Sequence, residues 1–336
     1  MSHRAPSLLA VDGNSLGHRA FHSVRAEAEP GGVEVPPIVG AVVTMLATTW
    51  VEGPYDAVVV AFDHAENRRK HDHPEYKANR TDEHPALRPR LAELRDHLAA
   101  CGFAVTDHPG AEADDLLAAV ADACTARAWR CDLLSSDRDL TALVGPTTRL
   151  LRPRATFSDL RVEDEAAVCA TYGIEPGQYT DLAALRGDPS DGLDGARGIG
   201  PKTAARLLRD HGSVPGIYAS LHELPTKVEA SLREARARVE RNLMLMAPIP
   251  RLRVDVEAAL ARGVDPDRVA ATLGELGLEA AARRFARALT APPPPPMPPP
   301  PDEPPVGTHG TVGARPATPA ARPDPAAVVG EQVTLF

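Results

Sequence analysis

Cysteine is scarce: the 336-residue chain has four, and Cys101, Cys124, Cys131 and Cys169 form no C-x-x-C pair. That spacing speaks against a zinc framework or a disulfide scaffold, so free, buried thiols in a reducing cytoplasm are expected. No apolar run approaches the length of about 18 residues that a membrane-spanning helix needs. The opening MSHRAPSLLAVDG is expected not to be a signal peptide, because its apolar run is short and leads straight into Asp12. Basic residues are not in excess. The net charge of −9 argues against a generic nucleic-acid coat, yet leaves room for a local basic surface beside an acidic site. Aromatics are few at 4%, but 43% hydrophobic residues suffice for a core. The length allows one large domain or two modest ones, and no solenoid-type repeat is present.

Composition changes near residue 290. APPPPPMPPPPDEPP and the Pro/Ala/Gly-rich stretch after it cannot bury a core and are expected to be extended and disordered. Before that point, SLLAV (7–11), AVVVAF (57–62) and DLLSS (132–136) read as buried strands. Helix-like segments separate them. The alternation predicts an α/β fold, a mostly parallel sheet with helices on both faces.

Each strand run is followed at once by an aspartate: Asp12, Asp63, and Asp137 with Asp139 close behind. Sites in open parallel sheets form outside the carboxyl ends of the strands, so these acids are expected on one rim. GAEADDLLAAV adds Glu112, Asp114 and Asp115 at the start of an apolar helix. Acids in a first helical turn gain ~0.3–1 kcal/mol each from the helix dipole and need no function on that account. Convergence with three strand ends asks for more. Clustered carboxylates without His or Cys suit hard cations such as Mg²⁺ or Mn²⁺, and two such ions can assist hydrolysis of a phosphodiester.

A second constellation, DLAALRGDPSDGLDGARGIGPKTAARLLRDHGS (181–213), adds Asp188 and Asp191 and then G-I-G-P-K-T before an apolar helix. Gly198 and Gly200 allow a tight turn and Pro201 fits the first helical position. Free amides there, with Lys202, can hold a backbone phosphate, as a helix-hairpin-helix grips duplex without reading bases.

Together LLAVDGNSLGHRAFHS, VVVAFDHAENRRKHDHPEYKANR, GAEADDLLA, LLSSDRDLTALV and GDPSDGLDGARGIGPKTAARLL resemble, in order and over about 8–210, the bacterial 5′-3′ exonuclease and flap endonuclease family. That family includes the 5′ nuclease domain of DNA polymerase I. The resemblance implies a PIN-like core and two metal groups, with two or more Mg²⁺ or Mn²⁺ ions. Asp12, Asp63, Glu112, Asp114 and Asp115 would form the tighter group, with Asp115 also catalytic. Asp137, Asp139, Asp188 and Asp191 would form the looser one. It also implies K⁺ bound through backbone oxygens around 195–203, beside DNA-binding Gly198, Gly200, Lys202 and Thr203. Lys77 and Arg80 would reach the scissile phosphate and act catalytically, Tyr76 would stack on an unpaired base, and Arg69 holds another basic DNA-binding position. Residues from about 68 to 100 would form the arch around a single-stranded 5′ end. His71, His73 and His84 are expected to be exposed rather than ligands. The chain departs from the family's D-N-I-P-G at Asp191-Gly192-Leu193-Asp194-Gly195, which is expected to loosen that turn without removing activity.

The expected organisation is a nuclease core over 1–175, a helix-hairpin-helix and helical region over 176–290, a linker over 291–330 and a terminal peptide over 331–336. No polymerase module is expected, so the reading is a stand-alone, monomeric, cytoplasmic enzyme. In GEQVTLF, Gln332, Leu335 and Phe336 resemble the bacterial sliding-clamp binding motif, which makes the clamp a second expected partner beside DNA with a 5′ end or flap. Arg233, Arg236, Arg238 and Arg241, and Arg283, Arg284 and Arg287, form basic series that either touch duplex phosphate or face solvent. The function expected is structure-selective 5′ cleavage of DNA in Okazaki fragment processing, including RNA primer removal, and in repair. The alternatives are an RNA-directed PIN-like nuclease and a non-catalytic DNA-binding scaffold recruited to the clamp.

Overall fold

The computed structural model describes residues 4–27, 34–78, 84–154, 159–290 and 332–333. Six strands, β1 (Ser7–Asp12), β2 (Ala57–Ala61), β3 (Ala104–Thr106), β4 (Arg130–Leu134), β5 (Thr148–Pro153) and β6 (Leu160–Glu163), make one sheet in the order β3-β2-β1-β4-β5-β6. All neighbours are parallel except β5 and β6. The three apolar runs of the sequence are β2 and the central pair β1 and β4. The other three strands carry no such run. β3 has three residues, and β5 and β6 place Arg149, Arg152, Arg161 and Glu163 in their ladders. Buried Asp132 takes Arg149 at 2.7 Å and buried Glu163 takes Arg152 at 3.1 Å, so cross-strand ion pairs replace apolar alternation there.

The helices are α1 (Gly13–Glu27), α2 (Val35–Thr49), α3 (Arg68–Asp72), α4 (Leu87–Ala100), α5 (Ala113–Thr125), α6 (Glu165–Tyr172), α7 (Tyr179–Arg186), α8 (Pro201–His211), α9 (Val214–Ala219), α10 (Thr226–Met246), α11 (Val256–Arg262), α12 (Pro266–Glu275) and α13 (Glu279–Thr290). Alternate residues of each strand point to opposite faces. In β1, Leu9 and Val11 face a core with α1, α2, α4, α12 and α13. Leu8 and Ala10 face the other core, with α5, α6 and α11.

A separate core joins α7, α8, α9 and α10 into a second unit. Here α7 and α8 are linked by a hairpin whose strands β7 (Gly187–Asp188) and β8 (Leu193–Asp194) pair antiparallel. Gly187 has φ +85°, and a Cβ there would lie 2.4 Å from the Gly195 nitrogen, so this hairpin closes only on glycine. The chain then returns to the first unit. Val254, Val256 and Ala259 bury beneath the sheet, and Val269, Leu273 and Phe285 on its other face. The region expected as one block over 176–290 is thus divided between the two cores. β9 (Arg253–Val254) pairs in parallel with β10 (Gln332–Val333). The Pro-rich linker, Leu335 and Phe336 lie outside the described residues. No helix among the described residues is long and apolar enough to cross a membrane. The cysteines are free, with Cys101, Cys124 and Cys131 buried.

Phe285 is 1% exposed and meets Trp50 edge-on at 5.3 Å and Phe103 at 5.8 Å between centroids. Phe285→Ala is expected to lower stability by about 3–5 kcal/mol, read as a fall in the urea midpoint at unchanged slope. A loss below about 1 kcal/mol would show that α13 is not part of the first core.

Candidate active site

The strand order reverses at β1, whose neighbours are β2 and β4, and crevices form where neighbouring strands lead their chains to opposite sides. Val11 is in register with Leu134, so Asp12 and Ser135 leave the sheet side by side. Ser135 Oγ donates to Asp12 Oδ2 at 2.7 Å, and the Ser15 N–H donates to Oδ1 at 2.8 Å. The Asp137 N–H donates to Ser135 Oγ at 3.0 Å, and the Asp139 N–H to Asp137 Oδ1 at 2.9 Å. From β2, Asp63 accepts the Ala113 N–H at 2.8 Å, which ties that strand end to the start of α5. From the second unit, Asp188 accepts the Ser190 N–H at 2.9 Å. Loop chemistry on strand ends thus brings acids from both units to one rim.

The charges act on one another. Burial pushes Asp12 up to about 7 against its two hydrogen bonds, with Asp63 and Asp137 adding to the rise. Burial, then Asp137 and Asp12, carry Asp114 well above the carboxylate range. Asp139 is pushed up to about 7 by burial and by Asp137, Asp188 and Asp191, and its Oδ1 is buried without a hydrogen-bond partner.

Glu112 and Asp115 stand differently. They form a capping box at the start of α5, each side chain accepting the other's backbone N–H. Asp115, 1% exposed, takes a two-pronged bond from Arg69 at 2.7 Å on each oxygen, and also the Ile249 N–H at 2.8 Å. Glu112 takes Lys77 Nζ at 2.7 Å and Arg69 at 3.1 Å. Burial would raise Glu112, but Lys77 and Arg69 outweigh it and hold the carboxyl below its usual range. Among the described residues no three His, Cys, Asp or Glu side chains stand close enough to hold a metal ion by themselves.

The basic segment also differs from the sequence expectation. Arg69 is engaged with Asp115, Glu112 and the Ala247 carbonyl rather than presented to solvent. Tyr76 is 5% exposed, packed with Leu193 and Leu245, with its hydroxyl donating to Glu112 Oε2 at 3.3 Å and Lys77 Nζ 4.8 Å over its ring. Lys77 has φ +56°, a left-handed conformation that costs about 1–2 kcal/mol in a non-glycine residue. Its N–H donates to the Asp191 carbonyl at 2.9 Å. Arg80 lies outside the described residues. His71 is exposed, whereas His73 and His84 are half-buried, the latter beside Phe21.

At the second constellation, α8 starts at Pro201 with Gly200 as its cap, and Gly198 has φ +77°. A Cβ at Gly198 or Gly200 would meet nothing within 4 Å, so this turn lies open to approach. Gly198, Gly200 and Lys202 are exposed and Thr203 half-buried. The arginines of α10 are engaged within the protein. Arg233 pairs with Glu229, Arg236 with Glu240, and Arg241 with Glu75, while Arg238 donates to the Gly195 carbonyl. Asn242 donates to the Asp194 carbonyl at 2.9 Å, bracing the hairpin where the sequence departs from the family pattern. Arg283, Arg284 and Arg287 are exposed.

A cavity of about 830 Å³ is lined by Asp63, Lys77 and Glu112 together with His18, His22 and Arg88. The sequence reading missed these last three. The histidines are four apart on α1, the spacing of one helix face, which is the signal that could have found them.

The 5′-3′ exonuclease N-terminal resolvase-like domain matches residues 7–173, and the 5′-3′ exonuclease C-terminal SAM fold matches 174–267. DNA polymerase I of Mycobacterium bovis is 36% identical over 240 residues, 70% of this chain and 26% of the polymerase. The chain thus spans about a quarter of the length of such polymerases. A 5′-3′ exonuclease of Mycoplasma pneumoniae is 29% identical over 287 residues, covering 83% of this chain and 98% of that one. The fold is similar to that of a bacteriophage T5 flap endonuclease solved with DNA and metal ions, with TM-score 0.58, 22% identity and coverage of 85% and 100%. It is similar also to a zinc-bound T5 5′-exonuclease, with TM-score 0.57, 23% identity and coverage of 84% and 99%.

Asp12 and Asp139 at about 7 in the folded chain compare with 3.8 for an ordinary aspartate, so folding takes up protons between those values. Without divalent cations, stability is therefore expected to fall as pH rises from about 4 through 7 on account of these two groups. Mg²⁺ at pH 8 is expected to restore it, raising Tm by on the order of 5 °C in differential scanning calorimetry. A Tm indifferent to Mg²⁺ at pH 8 would show that the rim holds no cation.

Proposed function

The chain belongs to the 5′-3′ exonuclease family, and on that premise we propose that it is a structure-selective 5′ nuclease that hydrolyses DNA phosphodiesters at 5′ ends and flaps. The observation that carries this is the rim itself, where acids from both units meet and raise one another's pKa, with one buried Asp139 oxygen left without a partner. An all-oxygen donor set suits Mg²⁺ or Mn²⁺. Asp12, Asp63, Glu112, Asp114, Asp137, Asp139, Asp188 and Asp191 are the proposed ligands, some through water. Cations there would supply Lewis-acid stabilisation of the developing phosphate charge and lower the pKa of the attacking water. Asp115 serves by fixing Arg69 and the start of α5.

Lys77, which pairs with Glu112, is proposed to meet the scissile phosphate once substrate competes for its ammonium, and Arg80 to share that task. The open turn at Gly198 and Gly200, with Lys202 and Thr203, holds the duplex backbone through amides and one cation. K⁺ bound by carbonyls near 195–203 would belong to the same grip. The cavity of about 830 Å³ between Lys77 and α4, with His22 and Arg88 along its wall, is the proposed berth of the unpaired strand. Okazaki fragment processing, primer removal and repair follow as the proposed roles, with a sliding clamp bound through Gln332, Leu335 and Phe336.

The test is cleavage of an end-labelled 5′-flap duplex with Mg²⁺, beside single-stranded DNA, single-stranded RNA and blunt duplex. Incision near the flap junction, abolished by chelator and lowered on the order of a hundredfold by Asp139→Asn, is the expected result. Cleavage confined to RNA would favour the RNA-directed reading. No cleavage of any substrate by folded protein would favour the scaffold.

A further inference from the structure

We infer that Tyr76 is a positioning residue, a plug seated in a socket built by the second unit, and that this seat sets Lys77. The inference deepens the nuclease reading and rests on it, because it concerns the lysine that meets the phosphate.

Three consecutive residues are fastened to the second unit by three different means. Glu75 pairs with Arg241 of α10 at 3.4 Å. Tyr76 buries its ring against Leu193 of β8 and Leu245 of α10, with Met246 beside them. Lys77 donates its N–H to the Asp191 carbonyl of the hairpin. The side chain of Lys77 then crosses to the first unit and ends on Glu112. Its left-handed φ shows that the backbone at this point follows the fastenings rather than its own preference. The exposed ion pair contributes little by itself, and the buried ring is the strong fastening. Tyr76 and its socket form a small apolar cluster apart from the three main cores, so its loss would be felt locally. A ring stacked on a base would have to leave the socket. The burial of Tyr76 therefore predicts that Leu245, itself 3% exposed, matters to the chemistry as much as Tyr76 does.

The experiment is steady-state cleavage of the 5′-flap duplex by the full chain with Mg²⁺, comparing Tyr76→Ala, Tyr76→Phe, Leu245→Ala, Leu245→Val and the Tyr76→Ala/Leu245→Ala pair, with a thermal melt of each. Tyr76→Ala and Leu245→Ala are expected to lower kcat by about ten- to a hundredfold with KM changed less than about threefold. The double variant is expected to be no worse than Tyr76→Ala, and Tyr76→Phe to keep most of the kcat that Tyr76→Ala loses, because it keeps the ring in the socket and gives up only the hydroxyl's 3.3 Å bond to Glu112. Should Leu245→Ala fail to fold, Leu245→Val is expected to show the same kcat loss in smaller degree. Wild-type kcat in a folded Leu245 variant beside an impaired Tyr76→Ala would overturn the inference and assign Tyr76 to direct contact with DNA. So would a loss that falls on KM alone, or full kcat in Tyr76→Ala. An inactive wild type would instead overturn the nuclease reading, a result that depends on no variant.

Discussion

Carboxylates gathered at the mouth of a parallel sheet have to be answered by protons or by cations, and the site is organised by how each is answered. Glu112 and Asp115 are answered inside the protein, by Lys77 and Arg69. Asp12 and Asp139 hold protons near neutrality, and Asp139 keeps a buried oxygen with nothing to bond. The first pair is met by cationic side chains of the protein, and the second is not.

The internal pairs do more than neutralise. Arg69 reaches from α3 to the start of α5 and to the Ala247 carbonyl, while Asp115 also accepts the Ile249 N–H. One buried ion pair thus ties the basic segment, the acid helix and the end of α10 together. Buried pairs of this kind contribute little against an apolar substitute, yet breaking one leaves a stranded charge and costs about 3–5 kcal/mol. That asymmetry explains how polar residues can fix the relation of two units whose apolar cores are separate.

The positions of the strand-end acids were legible because β1, β2 and β4 are apolar runs that stop at an aspartate or just before one. The hairpin and α8 were legible from G-I-G-P-K. β5 and β6 were hidden because their arginines pair across strands with buried Asp132 and Glu163, which breaks the apolar pattern. The role of Asp115 was hidden because its partner Arg69 stands 46 residues away, and acids in a first turn look alike whether they face a ligand or a guanidinium. The resemblance implied that Tyr76 stacks on a base, and its packing was hidden because Leu193 and Leu245 lie far along the chain. Of the α10 arginines, Arg233 and Arg236 stay exposed in local i,i+4 pairs, whereas Arg238 and Arg241 find partners far along the chain. Long-range polar pairing leaves no local signature, whereas strand ends and helix caps do.

The account turns on cations replacing protons at the rim. Calorimetric titration with Mg²⁺ at pH 7 and pH 8.5, each in two buffers of different ionisation heat, measures that exchange directly. Binding is expected to release protons at pH 7 and fewer at pH 8.5, since Asp12 and Asp139 titrate at about 7 and Asp114, raised well above the carboxylate range, adds to the release. Mg²⁺ that binds without releasing protons at pH 7, or does not bind at all, would contradict it.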